Sequence, residues 1–109
     1  MIIKNKTNQI HDDEVYDLIK TVLESPGVTE NTVRKELFSN KNIPESLTKY
    51  AGKIRNESYR ISDYDIKELL ASGYSEDAIF EITVSTSLGA ASERLNIGLN
   101  ALKEALNEA

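Results

Sequence analysis

The segment GYSEDAIFEITVSTSLGAASERLNIGLNALKEAL, from Gly73 to Leu106, constrains the fold of this chain more than any other part of it. Its apolar residues fall at Ile79, Phe80, Ile82, Val84, Leu88, Ala91, Leu95, Leu99, Leu102 and Leu106. The later members keep the three-and-four spacing that places side chains on one face of an α-helix. The run Ile82-Thr83-Val84-Ser85-Thr86 is rich in β-branched residues. These lower helix propensity by at most about 0.7 kcal/mol each, which packing outweighs, so one long helix is expected. Ser75 is placed to cap it, with Glu76 and Asp77 in a first turn where the helix dipole favours negative charge. Gly73 is the expected stop of the helix before it. Gly89 or Gly98 is expected to bend the long helix or to admit a second helix closely.

Four shorter patterns precede this one. Val15, Leu18, Ile19, Val22 and Leu23 form one stripe of a helix from about Asp12 to Glu24, stopped by Ser25-Pro26-Gly27. A second helix is predicted from Thr29 through Val33, Leu37 and Phe38, with a loop at Asn40-Lys41-Asn42. A third opens at Pro44, where a missing N–H costs nothing, and turns Leu47, Tyr50, Ala51 and Ile54 inward. Ser62 and Asp65 have capping-box spacing, and predict a short helix with Ile66, Leu69 and Leu70 inward. Two corners look alike: Gly27-Val28-Thr29-Glu30 and Gly73-Tyr74-Ser75-Glu76. Ordinary helix-stop and cap chemistry accounts for both without an internal repeat. The expected fold is therefore all-α, one domain over residues 1–109 with four to five helices, preceded by a flexible segment over residues 1–11.

Composition narrows the function. The chain of 109 residues has no cysteine, which removes disulfides, thiolate metal sites and thiol catalysis. No apolar run approaches the roughly 20 residues of a membrane span, and the polar start MIIKNKTNQIHDDE has no secretory h-region. These features predict a cytoplasmic protein that does not enter membranes. Residues 1–60 carry ten Lys/Arg and nine Asp/Glu, whereas residues 61–109 carry three and nine. The acidic half would repel a phosphate backbone, which argues against nucleic-acid binding. No phosphate loop, HExxH, nucleophile elbow or calcium loop is present, so neither cofactor nor metal is expected.

The pattern from Tyr50 to Leu102 resembles the alkylhydroperoxidase D-like and carboxymuconolactone decarboxylase-like superfamily. The residues carrying it are Ala71 to Glu81, then Gly89-Ala90-Ala91, Arg94 and Leu95, about half the chain. The resemblance implies an all-α fold and symmetric oligomers. Redox-active relatives carry a CxxC pair one helix upstream of the glycine, with a histidine after it. Those positions fall near Ser58, Ile61 and Asp65, none of which has the required chemistry. A hydroxyl neither forms a disulfide nor reduces a peroxide. The resemblance therefore implies the fold without the thiol peroxidase activity. Non-redox relatives use carboxylates and histidine as acids and bases, and the one histidine here, His11, lies in a polar stretch and reads as solvent-exposed.

Glu81 is the main candidate for chemistry, because it lies between Phe80 and Ile82. A buried carboxylate has a raised pKa and serves as a general acid, or else finds a cation. The alternative is a polar face shared with Asp77 and Ser85. Arg94, thirteen residues on, is about 20 Å away along a straight helix, so the two are not expected to pair within one helix. Thr83, Ser85, Thr86 and Ser87 read either as a polar pocket wall or as a tight helix contact. Tyr50, Ser58, Tyr59 and Asp65 are candidate pocket-lining residues. Lys49, Lys53, Arg55 and Arg60 read as a solvated basic face. Three functions are compatible with these residues. The first is an oligomeric binding or scaffold protein, with room for a small-molecule ligand. The second is a lyase or isomerase using Glu81 with Arg94 or a tyrosine. The third, suggested by the two corners and opposed by charge, is a helix–turn–helix DNA binder.

Overall fold

The fold follows from where each helix can start and stop. In the computed structural model, which describes the backbone of residues 9–108 and the side chains of residues 13–107, there are five α-helices and no strand among the described residues. They are α1 (Gln9–Glu24), α2 (Asn31–Ser39), α3 (Glu45–Glu57), α4 (Asp63–Ala71) and α5 (Glu76–Glu108), with a 3-10 turn at Ser58–Arg60 between α3 and α4. The β-branched run is helical, as the spacing predicts. Helix α1 begins before the expected Asp12, so the last residues of the expected flexible segment belong to its first turn. Residues 1–8 and the side chain of His11 lie outside the described residues. No helix among the described residues is long and apolar enough to cross a membrane.

The α4–α5 corner shows the local chemistry in full. Gly73 adopts φ +102°, a conformation natural to glycine. That lets the Tyr74 N–H reach the Leu69 carbonyl and the Gly73 N–H reach that of Leu70, satisfying the open end of α4. Two residues on, the Ser75 hydroxyl accepts the Ala78 N–H at 3.1 Å and caps α5. At the other end of α4, Asp65 accepts the Ser62 N–H at 2.9 Å, the acidic half of the expected capping box.

Leu37, Leu47, Tyr50, Ala51, Ile54, Leu69, Ile79 and Ile82 form the core, between α2, α3, α4 and the first half of α5. Two expected core residues lie outside it: Leu18 is 53% exposed and Leu70 is 40% exposed. Helix α1 meets the body through the one-turn pair Ile19 and Leu23, a narrower stripe than its sequence offers. In the nine-residue α4, Leu69 is buried and Ile66 packs against the core, leaving Leu70 outside. Phe80 likewise faces out of the core at 69% exposure.

The glycines of α5 separate clearly. A Cβ on Gly89 would stand 2.1 Å from the Phe38 carbonyl oxygen, so the C-terminal end of α2 lies directly on α5 there. A Cβ on Gly98 would meet nothing within 4 Å. Close approach thus belongs to Gly89 alone of the two. Beyond Ala90 no described residue of α5 is buried. The long axis of 54 Å matches a 33-residue helix, whose last turns, beyond the contacts of Glu93 and Arg94 with Arg55, run past the body.

Candidate functional site

Helices α1 and α2 end on side chains sent from elsewhere, and contacts of the same kind decide what Glu81 can do. Glu81 rises from α5 beneath the α1–α2 corner. One carboxylate oxygen accepts the Val28 N–H and the other the Thr29 N–H, both at 2.9 Å, and the Thr29 hydroxyl donates to the second. Gly27 makes room for it, since a Cβ there would lie 2.8 Å from both carboxylate oxygens. The two look-alike corners therefore work differently. One is capped locally by Ser75, and the other is tied to a carboxylate more than fifty residues along the chain.

Burial pushes the Glu81 pKa up, but the Thr29 hydroxyl, the two N–H groups and the charge of Arg34 outweigh it, so the pKa lies below the usual glutamate value. This corrects the expected raised pKa: the group is ionised at neutral pH and holds no proton to donate. The alternative expectation, a polar face with Asp77 and Ser85, is also replaced, because Ser85 is fully buried. Glu81 does line a cleft of about 200 Å³ with Val22, Pro26, Arg34, Phe80 and Val84. Both of its oxygens are nonetheless engaged by the corner.

Arg94 lines a different, more polar cleft of about 300 Å³ with Asn40, Arg55, Asn56 and Glu93. It donates to the Arg55 carbonyl. Glu81 and Arg94 thus belong to separate surfaces and do not form one site. The third cleft, about 350 Å³, is mostly apolar and lies between the two corners and the start of α3, lined by Val28, Val33, Leu47, Tyr74, Ala78 and Ile82 among others.

The four candidate pocket-lining residues do not converge. Tyr50 is buried and its hydroxyl pairs with that of Thr83 at 2.7 Å. Ser58 is exposed in the 3-10 turn, and Tyr59 is 83% exposed. Asp65 is buried and bonds Lys53 at 2.8 Å. The Lys53 ammonium and the Ser62 N–H lower its pKa against the opposing effect of burial. None of the four lines any of these three clefts. Of the hydroxyl run on α5, Thr83 and Thr86 bond back to the carbonyls of Ile79 and Ile82, both at 2.7 Å, and Ser85 and Thr86 are fully buried. A tight helix contact is the reading these bonds support.

Two arginines carry more of the architecture than the sequence suggested. Arg34 is 3% exposed and donates to the carbonyls of Val22 at 2.6 Å and Ser25 at 2.7 Å, closing the end of α1. Arg55, expected on a solvated face, is 6% exposed. It donates to the carbonyls of Leu37 and Phe38 at the end of α2 and to Glu93 at 2.7 Å. A cation suits the negative end of a helix. The available signal was register: Arg34 is one turn from Leu37, and Arg55 one turn from Ala51, both on inner faces. No group of three or more His, Asp or Glu able to hold a metal occurs among the described residues.

No protein-family model matches the chain, and neither a curated protein nor a solved structure matches it.

Proposed function

We propose that this chain is an alkylhydroperoxidase D-like helical domain without a redox centre, which works as a self-assembling binding or scaffold protein. The observation that carries the assembly reading is the second half of α5. Leu95 is 47% exposed, Leu102 55% and Leu106 67%, with the half-buried Leu99 between them at three- and four-residue spacing. A lone helix of this length is marginal in water, and a continuous leucine stripe in solvent is costly. Packing against another molecule removes both costs.

The family part of the reading rests on the sequence pattern Ala71 to Glu81, Gly89-Ala90-Ala91, Arg94 and Leu95, and the non-redox part on the absence of cysteine. The engagement of Glu81 by the α2 corner favours binding or scaffolding over acid–base catalysis. The test is mass. Light scattering at micromolar concentration is expected to give a mass well above the 12.2 kDa of one chain. A strict monomer would remove the assembly reading, and turnover of a peroxide with a dithiol would remove the non-redox one.

A further inference from the structure

We infer that the cleft of about 200 Å³ between the end of α1 and α5 is a binding site for a small neutral molecule, an apolar ring bearing one carbonyl oxygen, held by the Arg34 Nε–H and the Ser85 hydroxyl together. The inference rests on the binding part of the proposed function and is independent of assembly.

Two polar groups of the residues lining this cleft have nothing to bond. Arg34 is 3% exposed and commits its two terminal nitrogens to the carbonyls of Val22, Ser25 and Thr29 and to the Asn31 side chain. Its Nε–H is buried with no acceptor among the described residues. Ser85 is fully buried, and its hydroxyl has no partner among them either. Its neighbours behave differently. The Thr83 and Thr86 hydroxyls bond back to carbonyls one turn earlier, both at 2.7 Å, and that of Ser85 does not. A buried donor left without an acceptor is costly, and folded proteins leave few of them. Here both belong to the lining of one cleft.

Charge selects a neutral occupant. Among the described residues that line the cleft, Arg34 and Glu81 are the charged ones, and they are of opposite sign. Both Glu81 oxygens are already held by the Val28 and Thr29 N–H groups. An ionised ligand would leave water for a wall with no net charge to answer its own. The two groups that remain are an N–H and an O–H, both donors, and a carbonyl oxygen has two lone pairs to accept them.

Shape supplies the ring. Val22, Pro26, Phe80 and Val84 give the cleft apolar walls, and Phe80, 69% exposed, leaves aromatic surface for a ligand to cover. An apolar cavity of about 150 Å³ holds benzene, so this cleft has room for a six-membered ring with one substituent.

Cyclohexanone is the probe, with cyclohexylammonium and cyclohexanecarboxylate as the same ring carrying either charge. Titrated into the whole chain at neutral pH, cyclohexanone is expected to shift the amide resonances of Val22, Phe80, Val84 and Ser85 to saturation. It is expected to bind at least about tenfold more tightly than either charged ring. Ser85→Ala is expected to weaken cyclohexanone binding at least about threefold, and to melt no lower than the wild type, because the hydroxyl it removes has no partner. Absence of saturation, shifts centred on other residues, or equal binding of a charged ring would overturn the inference and leave the mass of the assembly untouched. A Ser85→Ala chain that melts lower, or a crystal with cyclohexanone showing only an ordered water on Arg34 and Ser85, would also overturn it. Saturable binding at these four amides by a chain of monomeric mass would uphold this site and remove assembly.

Discussion

Gly89→Ala is expected to destabilise the protein by about 3 kcal/mol, near the upper end of what overpacking a core costs. The added methyl would lie 2.1 Å from the Phe38 carbonyl oxygen, and the atom that must yield is backbone. That carbonyl also accepts from Arg55 at 2.8 Å, so moving it disturbs the cap on α2. In a domain of this size the loss corresponds to a fall in Tm of roughly 12–24 °C. Gly52→Ala, within α3, is the control: the added methyl meets nothing within 4 Å and gains up to about 1 kcal/mol of helix propensity. Thermal melts of the two variants should move in opposite directions. Equal shifts would mean that α2 does not lie on α5 at Gly89.

Glu81→Ala is expected to cost about 2 kcal/mol, because the Val28 and Thr29 N–H groups lose a charged acceptor. Glu81→Gln should cost roughly half as much, since the amide keeps one acceptor and turns its donor toward an N–H. The pH dependence follows from the sign of the shift. The folded pKa lies below the ordinary glutamate value of 4.5, so the stabilisation is complete above that value and is lost as pH falls through the lower, folded one. Asp65 adds to the same trend below its ordinary value of 3.8. Denaturant melts from neutral pH down to about 3 should therefore show a shallower acid loss for Glu81→Gln than for the wild type. If Glu81→Gln instead left stability unchanged while abolishing a ligand-dependent property, Glu81 would be a site residue and not a cap.

How legible this was depended on the reach of each interaction. Helix α5, the Gly73 stop, the Ser75 cap and the Asp65 capping box are decided by residues within five positions of one another, and the spacing alone predicts them. Glu81, Arg34 and Arg55 are decided by partners up to fifty-three positions distant. A carboxylate between Phe80 and Ile82 looks like a buried acid in one dimension. The chain brings two backbone N–H groups to it from another corner, and that reverses the direction of its pKa. Arg55 misled in the same way, because a basic run on α3 reads as solvated until the end of α2 is placed over it. Leu18 and Leu70 fit the helical period, yet α1 and α4 each offer more apolar surface than the body covers. The leucines of the C-terminal part of α5 are the larger case of the same excess, and the proposed self-assembly rests on them.

Hydrogen exchange at the amides of Leu95, Leu99, Leu102 and Leu106, followed from dilute to concentrated solution, tests that claim most directly. A helix without a partner frays and exchanges at close to the unprotected rate, whereas one packed against another copy is protected by the free energy of dissociation. Protection that climbs with protein concentration at these four amides, while the amides of α3 stay constant, is the predicted result. Exchange at these amides that is independent of concentration, whether fast or slow, would contradict it.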